Sequence, residues 1–406
     1  MSDACFPRLH VRPAKGWIND PNGVCRVDGR WHVFFQYNPH SPRHHRVGWG
    51  HWSSPDLVAW TEHEPALMPT PNGLDAFGCW SGSFVMDGAT PTMIYTAVAD
   101  HARDAVGLVA TGSADLVRWT PSAVASAPRH GGELDETRDP FSFELDGHRY
   151  VVQGFGGPST PAALLVYDAD DLSAWKPLGS LLEVTHPVAA RVAEASIWEC
   201  PNLVQVDGQW VLIVSLWRWD GTQGQLSGVR WMLGDLRTTP EGPRFEPHDG
   251  GVLDDGPAFY APQAARTPDR VLLWGWSWEL DRDEDWLDAH GWAGVLTTPR
   301  ELRVRDGRLV QEPAAEYLTQ RGAALDTSWA ARDVPAFEVV CEAGGVLSCS
   351  GTEGGAGDVA LPAGSRVLVD GSLVEVFHDG GTATTRVYPA QDSTWTVSGG
   401  TATALG

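Results

Sequence analysis

Short apolar runs that follow a turn recur along the first three quarters of the chain. They are DGRWHVFFQY from Asp28, DGATPTMIYTA from Asp87, DGHRYVVQGF from Asp146, DGQWVLIVSL from Asp207 and PDRVLLWGW from Pro268. Their starts are 59, 59, 61 and 61 residues apart. The Asp-Gly pairs are hairpin turn signals, and about four short strands in each repeat are typical of a propeller blade. We therefore predict an all-β fold with a five-bladed β-propeller.

A second repeated segment supports the same register. SPDLVAW ends at Trp60, SADLVRW at Trp119 and DDLSAW at Trp175. Recurrence at blade spacing indicates that these three tryptophans pack inside the blades. Residues 181–197 are the best candidate for a helix or a loop within the repeats.

The pattern changes after Arg300. Residues 325–406 contain short alternating strands such as DGSLVEVFHDG (370–380), and this alternation fits an antiparallel sheet with two different faces. We predict a propeller domain over residues 1–305, a linker over 306–324 and a small β-sandwich over 325–406.

The composition narrows the classes of function. The chain has 406 residues, with 29 Lys and Arg against 52 Asp and Glu, which gives a formal net charge of −23. Such a charge repels nucleic acids and anionic membranes, and no apolar run is long enough to span a bilayer. Neither nucleic acid nor membrane is expected as a partner.

The N-terminal residues and the cysteines indicate the cellular compartment. The first residues, MSDACFPRLHVRPAKGW, lack the pattern of a secretory signal, so we expect a cytoplasmic protein. The six cysteines are scattered without the spacing of a metal site, and we expect free thiols. No metal and no cofactor is expected, and the sequence carries no sign of the oligomeric state.

Three acidic residues occupy one position of the repeat. Asp20 in GWINDPNG lies eight residues before Asp28, Asp139 in TRDPF seven before Asp146, and Glu199 in WECPN eight before Asp207. Trp80 and Ser81 stand at this position in the second repeat and Gln263 stands near it in the fifth. Equivalent positions in the innermost strands of a propeller converge on the central channel, so we predict that the three acids meet there.

Carboxyl groups that face one another suit the hydrolysis of a glycosidic bond. One carboxylic acid protonates the leaving oxygen, while a second carboxylate attacks the anomeric carbon or activates water. Each acid also has a structural interpretation. Asp before Pro often ends a strand, Arg138 and Asp139 could form a simple ion pair, and Glu199 could be a buried hydrogen-bonding group. The shared register favours a catalytic centre.

A longer set of motifs points to a known family. The motifs are WINDPNG (17–23), FFQYNP (34–39), WGHWSSPDLVAW (49–60), WSGS (80–83), RDP (138–140), ECP (199–201), YAPQ (260–263), WGW (274–276), GWAGVLTTPREL (291–302) and DGSLVEVFHDG (370–380). In this order they resemble the landmarks of glycoside hydrolase family 32, the invertase, inulinase and levanase family. The resemblance covers nearly the whole chain.

The resemblance implies a role for each acid. Asp20 would be the nucleophile that forms a covalent fructosyl-enzyme, Glu199 the general acid and then the base for water, and Asp139 the stabiliser of the transition state. Configuration would be retained. The fructose pocket would be lined by Asn19, Gln36, Trp49, Trp80, Ser81, Arg138, Tyr260 and Trp276. Cys200 would either orient and tune Glu199 or be a small buried residue.

Two features depart from the family pattern. His44, in SPRHHRVG, stands where relatives commonly carry a tryptophan that shapes the pocket. It is expected either to contact the leaving group or to lie in a solvated loop. The C-terminal sandwich is shorter than in most relatives, which puts in doubt the contacts that relatives make through it.

The implied function is a β-fructofuranosidase that acts on sucrose or short fructo-oligosaccharides. Phosphorylated sucrose is not expected, since no Lys/Arg cluster lies near the motifs, although His44, His45 and Arg46 could supply charge. The alternatives are a fructosyltransferase, an exo-fructanase acting on levan or inulin, another five-bladed glycosidase, and a sugar-binding propeller without activity. Linkage preference is expected to depend on loops around 40–47, 155–165 and 215–228.

Overall fold

The structure, a computed structural model, describes residues 3–127, 129–353 and 357–406. Strands account for 59% of the structure and helices for 5%, so the predicted all-β class is confirmed. In the described ranges, no helix is both long enough and apolar enough to cross a membrane.

The first two repeats each form an antiparallel sheet whose strands follow in chain order. The strands are β1 (Gly16–Val27), β2 (Arg30–Asn38), β3 (Gly48–Ser54) and β4 (Thr61–Leu67), then β5 (Gly78–Asp87), β6 (Thr90–Val98), β7 (Val106–Gly112) and β8 (Trp119–Pro121). A single 3-10 turn at Ala102–Asp104 precedes β7.

The next two repeats share one eight-stranded sheet. It contains β9 (Glu136–Leu145), β10 (His148–Gly156), β11 (Ala163–Asp168), β12 (Lys176–Glu183), β13 (Ile197–Val206), β14 (Gln209–Trp219), β15 (Gly224–Thr239) and β16 (Gly242–Val252). The two four-strand series are joined by one residue pair, Gly156 with Ile197. Helix α1 (Pro187–Val192) lies between them, where a helix or loop is predicted. It begins where the His186 side chain accepts the backbone N–H of Val188, which caps a helix N-terminus.

The fifth repeat forms another sheet. Its elements are β17 (Tyr260–Arg266), β18 (Val271–Ser277), helix α2 (Glu284–His290), β19 (Trp292–Ala293), β20 (Val295–Leu296), β21 (Arg300–Arg305) and β22 (Arg308–Pro313). Strand β19 leaves this sheet and pairs in parallel with β1. The end of the repeat region is therefore hydrogen-bonded to its beginning.

The first strands of the five series lie beside one another in a ring. β1 contacts β5, β5 contacts β9, β9 contacts β13, β13 contacts β17, and β17 contacts β1. Asp20, Asp139 and Glu199 lie on three of these five strands. The ring therefore brings residues from the beginning and the middle of the chain to one channel.

The Asp-Gly turn signals form hairpins. Asp28, Asp146, Asp207 and Asp306 have positive φ, and so does the glycine that follows each of them. Positive φ at both central residues is the conformation of a type I′ turn, which matches the twist of the strands that it joins. These turns connect β1 to β2, β9 to β10, β13 to β14 and β21 to β22.

The repeated tryptophans are packing residues, as predicted. Trp60, Trp119 and Trp175 each donate their indole N–H to the backbone carbonyl three residues earlier. Each ring packs into a separate apolar cluster of the sheets. The repeated segment thus forms the same closed turn in three successive repeats.

The chain then enters a second β region. After a 3-10 turn at Tyr317–Gln320, its strands are β23 (Arg321–Leu325), β24 (Ser328–Ala330), β25 (Ala336–Cys341), β26 (Gly345–Thr352), β27 (Asp358–Leu361), β28 (Ser365–Asp370), β29 (Leu373–His378), β30 (Gly381–Arg386), β31 (Pro389–Ser398) and β32 (Thr401–Leu405). They form a six-stranded and a four-stranded sheet, with Phe337 and Trp395 in the core between them. Residues 306–324, predicted as a linker, include β22 and the start of β23.

A buried ionic cluster connects the two regions. Arg300 on β21 donates to Asp254 (Nη1–Oδ2, 2.8 Å) and to Glu375 on β29 (Nη2–Oε1, 2.7 Å). The imidazole of His10 lies between Asp370 (Nδ1–Oδ2, 2.8 Å) and Glu375 (Nε2–Oε2, 3.2 Å). All five side chains are buried. The sandwich is therefore held to the repeats by charge as well as by apolar packing.

Candidate active site

Every strand of the inner ring contains a bulge at the same place. The pairing register shifts between Ile18 and Pro21 in β1, Trp80 and Gly82 in β5, Arg138 and Phe141 in β9, Glu199 and Asn202 in β13, and Tyr260 and Gln263 in β17. In three of the five strands a proline lies inside the shift (Pro140, Pro201 and Pro262), and in β1 Pro21 ends it. Proline cannot donate to the ladder, and a bulge redirects the neighbouring side chains. The bulges therefore coincide with the positions of the three acids.

Asp20 is surrounded by hydrogen-bond donors. Asn19 donates to its Oδ1 (Nδ2–Oδ1, 3.0 Å). Ser81 (Oγ–Oδ2, 2.5 Å), Gln36 (Nε2–Oδ2, 3.2 Å) and Cys200 (Sγ–Oδ2, 3.5 Å) all reach its Oδ2. These contacts to both carboxyl oxygens fix the orientation of the Asp20 side chain.

Glu199 is buried between a cation and a phenol. Arg138 donates to one oxygen (Nη1–Oε1, 2.8 Å) and Tyr260 to the other (OH–Oε2, 2.8 Å). Burial and the adjacent Glu199 charge raise the pKa of Tyr260, so its hydroxyl stays protonated and donates. The guanidinium of Arg138 also pairs with Glu136, which was not among the predicted site residues.

Asp139 lies between the other two acids. Its backbone has φ of 60°, and its N–H donates to Thr96 (N–Oγ1, 2.7 Å). The backbone N–H of Cys200 donates to its carboxylate (N–Oδ2, 2.9 Å), and the Cys200 thiol lies 3.5 Å from the same oxygen. Cys200 therefore contacts Asp20 and Asp139, whereas the prediction connected it with Glu199.

Two of the three acids, Asp139 and Glu199, have raised pKa values. Burial, followed by the charge of Glu199, raises the pKa of Asp139 to about 7. Burial also raises the pKa of Glu199, against the opposing effects of Arg138 and the Tyr260 hydroxyl. Crowded buried carboxyl groups cannot all ionise, and their protons belong to the group as a whole. The pocket therefore retains a proton that can be given to a leaving group.

An arc of aromatic rings borders the acids. Trp80 contacts His44, His44 contacts Trp17, Trp17 contacts Trp276, Trp276 contacts Trp278, and Trp278 contacts Tyr260, with ring centroids 5.6–6.2 Å apart. The guanidinium carbon of Arg138 lies at one end of this arc, 5.4 Å from the centroid of the Trp80 ring. Trp17 and Trp278 were not predicted. Trp17 could have been found, because it lies two residues before Asn19 on the same strand face and donates to it (Nε1–Oδ1, 2.7 Å).

Three residues of the predicted pocket have unused polar atoms. Gln36 Oε1, Arg138 Nε and Trp276 Nε1 are buried and have no hydrogen-bond partner among the described residues. Buried polar atoms are normally paired. A polyhydroxylated ligand could satisfy such atoms.

The structure corrects the role of Trp49. It is completely buried, because it lies on β3, behind the inner ring, and its indole donates to the backbone carbonyl of Trp80 (Nε1–O, 3.2 Å). It cannot touch a sugar directly, and it supports Trp80 from behind. His44, in contrast, is exposed and lies within the aromatic arc, between Trp80 and Trp17.

A pocket with one oriented carboxylate and two carboxyl groups of raised proton affinity is the arrangement of a glycosidase that works through paired acids. The model for "Glycosyl hydrolases family 32 N-terminal domain" matches residues 10–313, and that for "Glycosyl hydrolases family 32 C terminal" matches residues 363–404. The first match alone spans well over half of the sequence. The chain belongs to glycosyl hydrolases family 32.

Individual similar proteins agree with this family. The sucrose-6-phosphate hydrolase of Klebsiella pneumoniae is 34% identical over 350 residues, which are 82% of this chain and 72% of the relative. That of Salmonella typhimurium is 31% identical and covers 98% of this chain and 92% of the relative. A GH32 β-fructofuranosidase structure from Bombyx mori has a TM-score of 0.81 at 24% identity, with 99% of this chain and 94% of that chain covered. This likeness shows the fold, a β-propeller followed by a β-sandwich.

Proposed function

We propose that the protein is a retaining β-fructofuranosidase that releases the terminal fructosyl residue of sucrose or short fructo-oligosaccharides. The observation that carries this proposal is the convergence of Asp20, Asp139 and Glu199 on one pocket, each with different hydrogen-bond partners. The unused polar atoms of Gln36, Arg138 and Trp276 support a polyhydroxylated ligand.

The first step would form a covalent intermediate. The Asp20 carboxylate attacks the anomeric carbon of the fructosyl unit, and the bond from that carbon to the bridging oxygen breaks. Glu199 gives its proton to the bridging oxygen, so that the leaving sugar departs with a hydroxyl group. Asp139, in its ionised form, accepts hydrogen bonds from fructosyl hydroxyls and stabilises the positive charge that develops on the ring.

The second step would restore the enzyme. Glu199, now a carboxylate, takes a proton from water, and the water oxygen attacks the same carbon. The ester bond to Asp20 breaks. Two displacements at one carbon retain its configuration. Arg138 and Tyr260, which donate to both oxygens of Glu199, keep its carboxyl group oriented in both steps.

Two variants separate the proposed roles. Glu199→Gln should lower kcat on sucrose by about 10²–10⁴-fold, because it removes proton transfer. It should cost much less on an aryl fructoside whose leaving group needs no proton. Asp20→Asn should abolish turnover of both substrates. Glu194→Gln, at an exposed glutamate on the same segment, is the matched control and should retain normal rates.

Two results would contradict the assignment of roles. One is a near-normal rate on sucrose in either active-site variant. The other is an equal loss on both substrates for Glu199→Gln. Urea unfolding of each variant, monitored by tryptophan fluorescence, shows whether the fold is intact.

A neutral substrate is favoured over a phosphorylated one. Arg43, one of two arginines in the loop beside the pocket, already pairs with Asp288 (Nη1–Oδ1, 2.5 Å) and Glu284 (Nη2–Oε2, 3.5 Å). The net charge of −23 also opposes a phosphate dianion. Although two of the similar proteins named above are sucrose-6-phosphate hydrolases, we propose unphosphorylated sucrose. Comparison of kcat/KM for sucrose and sucrose 6-phosphate tests this, and activity on the phosphorylated sugar alone would refute it.

The propeller is proposed to have five blades. The closed ring of β1, β5, β9, β13 and β17 supports this number. So does the single residue pair that joins the two halves of the eight-stranded sheet. We place the end of the propeller at Pro313 rather than at residue 305, because β22 pairs with β21 along its length. Limited proteolysis would test this boundary, since cleavage within 306–313 without loss of the fold would oppose it.

A further inference from the structure

The hairpin between β14 and β15 carries two tryptophans outside the proposed pocket. Trp217 and Trp219 are two residues apart on one strand, and their rings are stacked with centroids 6.0 Å apart and 23° between the planes. Trp219 is 38% exposed, and the nearby Leu226 is 41% exposed. Large apolar side chains that are grouped on a surface mark interaction sites. Neither tryptophan has a part in the proposed fructosyl pocket.

The hairpin holds these rings in place. The Trp217 ring lies against the backbone of Gly224, where an added Cβ would be 2.0 Å from the ring. The backbone N–H of Trp219 donates to Ser196 (N–Oγ, 2.9 Å). At the tip, the Asp220 carboxylate accepts the backbone N–H groups of Thr222 and Gln223 at 2.8 and 2.9 Å. The aromatic surface is therefore formed before any ligand binds, which lowers the entropic cost of binding.

The position of the pair relates it to the acids. Glu199 on β13 pairs with Ser215 on β14, and Ile197 pairs with Trp217. Trp219 is thus four residues beyond the level of Glu199, or about 13 Å along the strand at the usual rise per residue. The hairpin continues β14 at the end of the sheet where the acids lie. A single sugar ring bound next to Glu199 would not extend to Trp219, but a longer chain would.

We propose that Trp219, supported by Trp217, forms a stacking platform for a sugar unit on the leaving-group side, so that the site accepts fructo-oligosaccharides longer than sucrose. The flat apolar face of a sugar ring packs on an indole while its hydroxyl groups remain in water. The terminal fructosyl unit occupies the pocket among the acids, and the rest of the sugar chain extends past Glu199 towards Trp219. This proposal rests on the proposed function.

The test compares two substrates in each variant. We choose sucrose and a linear tetrasaccharide with three fructosyl units on glucose, and measure the ratio of their kcat/KM values. This ratio does not depend on the fraction of folded enzyme. Trp219→Ala should lower the tetrasaccharide-to-sucrose ratio about two- to tenfold, the size expected for one aromatic stacking contact. Trp219→Tyr should restore most of it. Trp210→Ala, at the other end of β14, is the matched control and should leave the ratio unchanged.

The outcomes separate this proposal from the one on which it rests. An unchanged ratio in Trp219→Ala, or an equal fall in Trp210→Ala, overturns the platform and leaves the proposed function intact. Cleavage of sucrose but not of the tetrasaccharide by the wild-type enzyme also overturns the platform alone. Failure of the wild-type enzyme to cleave either sugar overturns the proposed function and the platform with it.

Discussion

Two buried carboxyl groups in this molecule, Glu375 and Asp139, have pKa values shifted in opposite directions. At the contact between the repeats and the sandwich, Arg300 and a hydrogen bond from His10 lower the pKa of Glu375 to about 2, although burial alone would raise it. In the pocket, burial and the neighbouring Glu199 raise the pKa of Asp139 to about 7. Both carboxyl groups are buried. Burial by itself therefore does not decide which of them is ionised.

The difference lies in the partners. Glu375 accepts from Arg300 through two nitrogens, from His10, and from the backbone and hydroxyl of Thr298. Asp139 faces two more carboxyl groups, and the nearby Arg138 is already paired with Glu199 and Glu136. Compensated charge stabilises an interface, whereas uncompensated charge keeps a proton available for chemistry. Four predictions test this contrast, from the largest expected effect to the smallest.

Loss of the interface cation should have the largest effect. Arg300→Met leaves Asp254 and Glu375 buried without their cation and should lower the free energy of unfolding by about 3–5 kcal/mol. Urea unfolding at pH 7 measures it. Arg305→Met is the matched control, because the Arg305–Glu312 pair is exposed, and it should leave the unfolding midpoint nearly unchanged. Equal effects of the two variants would show that the buried cluster adds no stability.

The imidazole of the same cluster should make stability depend on alkaline pH. Although burial opposes it, hydrogen bonds to Asp370 and Glu375 raise the pKa of His10 to about 9. A group whose pKa is raised by folding stabilises the folded state fully below its unfolded value, near 6.5, and loses this contribution as pH rises through the folded value. We expect a loss of about 3 kcal/mol between pH 6 and pH 10.

The variant His10→Gln isolates the stability that the charged imidazole contributes. The stability difference between wild type and His10→Gln should be largest near pH 6, should shrink as pH rises from about 6.5 through 9, and should be nearly gone at pH 10. A constant difference across this range would show that the imidazole is not charged in the folded protein.

Neutralising an acid in the pocket should have the opposite effect on stability, because it should raise the free energy of unfolding. The folded protein keeps a proton on Asp139 up to about pH 7, while the unfolded chain releases it near pH 4. The carboxyl group therefore costs stability increasingly as pH rises between these values. Asp139→Asn should raise the free energy of unfolding by about 1–3 kcal/mol at pH 8, less at pH 5, and abolish activity.

Asp370→Asn provides the comparison at the interface. Asp370 accepts from three backbone N–H groups and from His10, so its neutralisation should destabilise the fold. If both variants changed stability in the same direction, the contrast between the two clusters would be lost.

The smallest effect is expected at the cysteine between the acids. Cys200→Ala removes one thiol that lies 3.5 Å from both Asp20 and Asp139 but leaves its backbone N–H in place. Since one neutral hydrogen bond is worth about 0.5–1.5 kcal/mol, kcat/KM on sucrose should fall about two- to tenfold. Cys349→Ala in the sandwich is the control and should have no effect. A loss above about a hundredfold would give the thiol a larger role than positioning.

The repeat register and the three acids could be predicted because they depend on local signals. Asp-Gly pairs specify hairpins, and the proline after Asp20 and Asp139 accompanies the bulge that turns each acid inward. Whether a tryptophan faces the pocket or the core between the strands is not decided by its neighbours in the sequence. Trp49 is a motif residue and yet is fully buried, while Trp17 borders the pocket and was not predicted. Burial depends on which strand covers which, and that is decided only when the ring of strands closes.

The amino-acid sequence alone predicted the all-β repeat, the turn positions and the shared repeat position of the three acids, because backbone preferences and hydrophobic periodicity act over a few residues. Only the tertiary structure decided which carboxyl groups have raised pKa values, what Cys200 contacts, and how the two regions are joined. His10 and Glu375 are 365 residues apart in the chain and 3.2 Å apart in space. Electrostatic energy depends on that second distance.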